Sequence, residues 1–423
     1  MTTAFTRDFR KLWAALSVSL LGSEITTLAL PLFAATVLHT SPLQMGVLVA
    51  AGQLPFLLCS MPAGLLADRV RRRPILIATD IGAAALLLTI PATVPFGGPY
   101  FSQLCVVAFG IGTFAVLSEV AHYAYVPTLV GREQLTAFNS RLQISYSVSE
   151  SAGPGIAGIL VQTITAPFAV LVDACSFIAS ALLLRSIGDR ERRPGDAVSQ
   201  DPLWRSLAEG LRLLLRDRLL RPIVITGLFV AIFENGVIAL YVLYATRELG
   251  LNAATIGAVF VAGGLGAIPG ALLARRVGDR LGVGRAIVAG LLLAALAGLL
   301  VPLAAGPSLL VIALLAVAKA FGALTFTVAN IHQWSLRQAI TPDELAGRVT
   351  AGQRFLVYGG GSLGALLGGA LGGALGLRAA LFVCVTGAVL APLWTLFSPV
   401  RHLREQPPEP ARPAIDTSEA ANT

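Results

Sequence analysis

The sequence predicts an all-α protein threaded twelve times through a membrane, folded as two pseudo-symmetric bundles of six helices. Three observations predict it. Of 423 residues, 55% are hydrophobic and only 13% charged, against about 25% charged in a soluble domain; the mean hydropathy is +0.77. The apolar residues gather in runs of about 20 or more, the length that crosses the hydrocarbon core as a helix. The two halves of the chain also repeat each other.

The elements follow in order. Spans are read at residues 12–38, 43–67, 74–95, 100–127, 135–163 and 166–187, then 222–246, 253–274, 285–305, 307–333, 350–375 and 377–400. The links "HTSPLQ", "PFGGPY", "TAP" and "AAGPS" are short, turn-rich and uncharged, whereas the opposite links are rich in arginine. Of 31 lysines and arginines, 26 lie at the N-terminus, in the even-numbered links or at the C-terminus. Two, Arg247 and Arg378, lie on the other side, and Arg141, Lys319 and Arg354 are embedded. The positive-inside rule therefore puts both termini in the cytoplasm. Abundant arginine and alanine with scarce lysine suggest a GC-rich bacterial genome, and the membrane expected is the bacterial cytoplasmic (inner) one.

The domains expected are a bundle at 1–187, a cytoplasmic linker at 188–221, a second bundle at 222–400 and a disordered tail at 401–423. Within the linker, "PLWRSLAEGLRLLLRDRLLR" spaces leucines and arginines as an amphipathic helix that would lie on the anionic inner leaflet. The tail is polar and rich in proline, a composition that cannot bury a core.

Other classes are excluded on chemistry. The net charge of +8 comes from short clusters between apolar runs, with no contiguous basic face for nucleic acid. Cys59, Cys105, Cys175 and Cys384 all sit in apolar runs without C-x-x-C spacing, so neither a disulfide framework nor a metal site is indicated. The G-x-S-x-G at Gly360 to Gly364 lies inside an apolar span and lacks the strand-to-helix turn of a hydrolase. Its glycines at 360, 364, 368, 372 and 376 line one helix face for close packing. No P-loop is present, and neither an enzyme activity nor a cofactor is implied. "RDFRK" before the first apolar run reads as the start of an uncleaved helix rather than a signal peptide.

The repeat is legible at three places. "PAGLLADRV" from Pro62 aligns with "PGALLARRV" from Pro269 at an offset of 207. "EITTLAL" from Glu24 aligns with "ENGVIAL" from Glu234 at 210, and "EQLTA" near Leu135 with "DELAG" near Leu345 at the same offset. Matches at nearly one offset indicate an internal duplication, the plan of many secondary transporters.

These features resemble the major facilitator superfamily, especially its drug-exporter and siderophore-exporter-like branch. The family's G-x-L-x-D-R-x-G-R-R signature between spans 2 and 3 stands here as Gly64, Leu66, Asp68, Arg69, Arg72 and Arg73, with Arg71 at the usual glycine. The "SESAGPGIAG" of span 5 is similar to the antiporter motif, matching at Gly153, Pro154 and Gly158. The basic residue that many members carry in span 4 is absent here. The resemblance implies a cytoplasmic gate at the first motif, whose aspartate and arginines pair in one conformation and part in the other.

Embedded charges are costly, about 2.5–3.5 kcal/mol each at a helix centre on insertion scales, so they face a cavity or a partner. Glu24 and Glu234 occupy equivalent repeat positions mid-span, on helices that the resemblance places around a central cavity. Glu119, Glu150, Asp173 and Lys319 complete the candidate set for proton coupling and substrate contact. A desolvated lysine gives up its proton readily, whereas an arginine stays charged. One proton moving down 100 mV and one pH unit supplies about 3.7 kcal/mol, enough for roughly a 500-fold gradient.

The expected activity is export of an amphipathic small molecule (a drug, a secondary metabolite or a siderophore) by proton-coupled alternating access, from a monomer in the lipid bilayer. Import of a small or lipid-like solute is the alternative within transport. A non-transporting membrane sensor or membrane enzyme is the rival from another class.

Overall fold

The computed structural model describes residues 7–98, 100–130, 134–188, 203–342 and 345–405, without the side chains of residues 61, 65, 67, 68, 203–206 and 346. Among the described residues the regular structure is entirely helical. The first half comprises α1 (Arg7–Thr36), α2 (Pro42–Leu58), α3 (Ser60–Arg69), α4 (Arg72–Thr93), α5 (Phe101–Val130), α6 (Leu135–Ile164) and α7 (Ala166–Arg185). The connecting helix is α8 (Leu203–Arg216). The second half comprises α9 (Leu220–Arg247), α10 (Ala253–Leu281), α11 (Val283–Gly298), α12 (Leu300–Leu303), α13 (Ser308–Ile340), α14 (Ala346–Leu375), α15 (Leu377–Leu390) and α16 (Leu393–Leu396).

Ten described helical spans are long and apolar enough to cross a membrane. Two of the twelve predicted spans fall short of that measure for identifiable reasons. Span 2 is divided at Cys59 into α2 and α3, because Pro62 has no N–H to give to Leu58 one turn back. Span 5 is the full-length α6, but hydroxyls, Arg141 and Glu150 dilute its apolar content.

The duplication reappears in the backbone. Ser41 caps α2 through the amide of Gln44 in a capping box, and Asn252 caps α10 through the amide of Thr255. The α6–α7 turn passes through Thr165 at φ +70° and the α14–α15 turn through Gly376 at φ +86°. Both share ψ near 156–160°, a region that glycine enters at little cost and threonine does not.

Apolar surface and close glycine contacts hold the halves. Leu28, Phe33, Leu87, Leu104 and Val170 of the first half join Leu240, Tyr244, Ile256, Leu315 and Leu381 of the second in one buried cluster. The predicted glycine face of α14 packs inward: Gly364 lies on the backbone of Ile232 and Gly368 on that of Gly236, both in α9. A second face of α14 turns across the molecule, where Gly369 meets Pro42 and Gly46 of α2. On the opposite flank, Gly158 of α6 meets Ala253 and Gly257 of α10.

The connecting helix departs from expectation. Rather than presenting its apolar face to lipid alone, α8 buries Leu207 and Leu214, the latter in a cluster with Leu220, Val224 and Val349. Gly210 rests against the backbone of Arg348, and Glu209 pairs with the Arg348 side chain. A glycine on the inner face of α8 lets the two backbones approach, so protein covers leucines that a lipid surface was expected to cover. The rest of the linker, residues 189–202, and the tail from 406 lie outside the described residues.

Candidate functional site

The helices alternate in direction, giving the molecule an arginine-rich end, where α1 begins, and an arginine-poor end, where it finishes. The halves touch along two seams. The α2–α14 seam runs from Pro42 and Gly369 at the arginine-poor end to the stacked rings of Phe56 and Tyr358, 4.4 Å apart. The α6–α10 seam runs from Gly158 through Gly155, which meets Val261, to Ser151, which meets Gly264. Arg247 ties the arginine-poor end by donating to the carbonyl of Thr40 at 2.8 Å.

Glu24 lies mid-span on α1, half-buried. A Cβ at Gly153 of α6 would strike Cβ of Glu24, so the first glycine of the "GPG" stretch is what admits this carboxylate. Glu150, one turn before Gly153, is exposed and within electrostatic range of Glu24. Pro154 and Gly158 serve the other face of α6: the Pro154 carbonyl and Gly158 both abut Gly257 of α10. The antiporter-like motif thus joins an acidic helix within one half to a seam between halves.

Glu234 lies mid-span on α9. Its side chain is exposed, although protein packs densely in its neighbourhood. Lys319 of α13 is its electrostatic partner. The Lys319 ammonium sits 4.6 Å from the ring centre of Tyr241 and 4.7 Å from that of Phe260, cation–π contacts that hold a desolvated ammonium. The neighbour of Glu234, Asn235, accepts a hydrogen bond from the Gln53 amide across the α2–α9 interface.

Glu119 of α5 is paired across the halves with Arg354 of α14, at 2.7 Å. Tyr123, Tyr146 and Tyr358 lie within electrostatic range of the pair. Arg354, embedded in an apolar run of the sequence, thus pairs between the halves.

Asp173 stands apart from this set. It is 0% exposed, wedged between α1 and α7, where Thr26 donates to its Oδ2. Residues that sequence reasoning passed over include Gln53, Asn235, Tyr241, Phe260, Tyr358 and Asp80. Asp80 meets the mid-span criterion that selected the others, but it follows the arginine run closely enough to be taken for an end residue.

The gate signature is placed at the α3–α4 turn. Gly64 is half-buried in α3, Arg69 is exposed, and Arg72 and Arg73 open α4. Arg73 donates to the carbonyls of Leu184 at 3.0 Å and Arg185 at 2.6 Å, closing the C-terminus of α7, where a cation complements the helix dipole. The side chain of Asp68 lies outside those described. Arg71, at the usual glycine, has φ −57° and ψ 134°, an ordinary extended conformation, so no glycine is required at this turn. The second copy of the phrase contributes Arg275 to an arginine-rich recess that Arg280 and Arg285 also line, away from the embedded carboxylates.

Comparison with known proteins follows this geometry. A sequence model of the Major Facilitator Superfamily matches residues 12–363 and 224–420. The chain is 26% identical over 412 residues to the multidrug efflux pump Tap of Mycolicibacterium fortuitum, covering 93% of this chain and 95% of that one. It is 25% identical over 408 residues to the enterobactin exporter EntS of Citrobacter koseri, covering 95% and 94%. Among solved structures, a bacterial homologue of the iron transporter ferroportin in its inward-facing state superposes with a TM-score of 0.71 at 17% identity, over 93% of this chain and 99% of that one. At that identity the likeness concerns the fold alone.

Proposed function

The chain belongs to the Major Facilitator Superfamily, and from that premise we propose that it exports amphipathic small molecules across the cytoplasmic membrane by proton-coupled alternating access. The observation that carries the export reading is similarity over nearly the whole length to a drug efflux pump and a siderophore exporter. Proton coupling rests on the chain's own residues. Glu24 and Glu234 lie at equivalent positions of the two halves and, in this reading, border the space between them, and Lys319 with Glu234 forms a pair whose charge a substrate or a proton can perturb.

In the cycle proposed, the arginine-rich end faces the cytoplasm. The seams close the opposite end, so substrate enters from the cytoplasm once the Glu119–Arg354 pair parts, and meets Glu24, Glu234 and Lys319 at mid-height. The halves then rock about the α2–α14 and α6–α10 glycine contacts. Protons taken up outside by these carboxylates are released inside, and the return of the empty carrier is driven by that release. The Glu119–Arg354 pair spans the halves below the site and acts as a latch on the cytoplasmic side, together with the gate signature around Gly64, Asp68, Arg69, Arg72 and Arg73. The working unit is a monomer.

Direction is tested with oriented vesicles and a panel of fluorescent amphipathic dyes. Inverted vesicles energised with an inside-acid pH gradient accumulate dye in this reading, and a protonophore abolishes it. Accumulation confined to right-side-out vesicles with an outside-acid gradient would make the protein an importer.

A further inference from the structure

The first half contains a second pair of acids that the proposed cycle does not use. Asp173 of α7 is 0% exposed and Asp80 of α4 is 5% exposed, and the two are within electrostatic range. Both oxygens of Asp173 are engaged. Thr26 of α1 donates to Oδ2, and the Ser176 hydroxyl lies 3.1 Å from Oδ1 and 2.8 Å from the Asp173 carbonyl, sharing its one proton between them. Asp80 is served less well. Ser180 of α7 faces its carboxyl, but Oδ2 is buried without a hydrogen-bond partner.

Among the described residues the surroundings supply no compensating cation. On α1, Lys11 bonds the Ser186 carbonyl, and on α4, Arg73 bonds those of Leu184 and Arg185. Both therefore sit at the end of α7, and Arg73 is seven residues from Asp80, about 10 Å along the helix. Glu24 of α1 is turned toward Gly153 of α6. On α5, which packs against α4, Glu119 is committed to Arg354, and the His122 ring lies against Phe138 of α6. On α6, which packs against α1 and α7, Arg141 lies over the Phe9 ring and Glu150 is near Glu24, and Cys105, Tyr123 and Tyr125 of α5, Tyr146 of α6 and Cys175 of α7 bring no positive charge.

Two carboxylates in an apolar interior cannot both stay ionised without a positive charge between them. A metal ion fits badly. A Cβ at Gly22 would already collide with Asp173 Oδ1 and Ser176 Oγ, and among the described residues no third His, Cys, Asp or Glu joins the pair. A proton needs neither space nor extra ligands.

We propose that the Asp80–Asp173 pair is a proton-binding site, with the proton carried on Asp80 and the charge on Asp173, separate from the space between the halves. The hydroxyls assign the roles: Asp173 has the donors that stabilise an anion, and Asp80 has an oxygen that nothing stabilises when ionised. Thr26 links the pair to α1, two residues from Glu24, so loss of the proton alters the contact between α1 and α7. The proton is held whether or not the chain couples protons to export.

Infrared spectroscopy of the full chain in lipid nanodiscs, with aspartate carboxyls labelled with carbon-13, tests this without a transport assay. The expected result at neutral pH is a protonated-carboxyl band that shifts with the label, disappears in Asp80→Asn and persists in Glu24→Gln. Should Asp80→Asn fail to fold, the labelled wild type decides alone, since Asp80 and Asp173 are the mid-span aspartates. Absence of a label-sensitive band at neutral pH overturns the proposal, as does a band unchanged by Asp80→Asn. A band that emerges only after sodium or divalent cations are removed would mean a metal holds the pair instead.

Discussion

Arg354 and Glu119 illustrate how much a single residue's meaning depends on its partner. In sequence each is a charge inside an apolar run; in the fold they are one ion pair reaching from α14 to α5. The pair is roughly one-third open to solvent, so its removal is worth about 1 kcal/mol. That is enough to change a two-state population about fivefold. Arg354→Met should therefore lengthen the spin-label distance between the halves at the arginine-rich end, while Glu119→Arg combined with Arg354→Glu should shorten it again. No change in either would mean that the pair is not a latch. Glu24, Glu234 and Lys319 were legible because mid-span charge is rare and costly. Gln53 and Asn235 were not, since an amide in a long apolar run carries no charge to mark it and its partner is 182 residues away.

At the scale of elements, the repeat makes testable pairs of positions. Thr165 and Gly376 hold the same turn, but only the glycine suits its backbone. Thr165→Gly is expected to raise stability by about 1 kcal/mol and Gly376→Ala to lower it by a similar amount; thermal unfolding in detergent reads both, and a drop for Thr165→Gly would refute the strain. Two neighbouring glycines of α14 should differ in kind. Gly368 lies on Gly236 within its own half, so Gly368→Val should reduce the yield of folded protein. Gly369 lies on Pro42 and Gly46 across the seam, so Gly369→Val should fold yet open the arginine-poor end to thiol reagents. Identical yield and labelling for the two would erase the distinction between packing face and seam. Most span boundaries were readable from apolar run length to within about five residues, whereas α10 and α13 each run seven residues beyond their predicted ends. The break at Cys59 and the docking of α8 were not, because the first needs the proline's lost hydrogen bond and the second needs to know that α14 offers a small-residue surface.

For the whole molecule, composition, charge asymmetry and the duplicated phrases sufficed for fold class and for the order of helices. What they left open was which acids share a space. Five acids and Lys319 were grouped from sequence; the structure puts Glu24 with Glu150, Glu234 with Lys319, Glu119 with Arg354, and Asp173 with Asp80. That division follows from which helix face each residue occupies, and a run that is apolar on every side does not reveal its inner face. The central claim is that Glu24 and Glu234 exchange protons as the halves alternate. It is tested most directly by dye-induced proton movement in proteoliposomes, comparing wild type with Glu24→Gln and Glu234→Gln at equal incorporation. The account predicts proton flux coupled to dye in the wild type and at least a tenfold loss in each variant. Wild-type flux in both variants would contradict it.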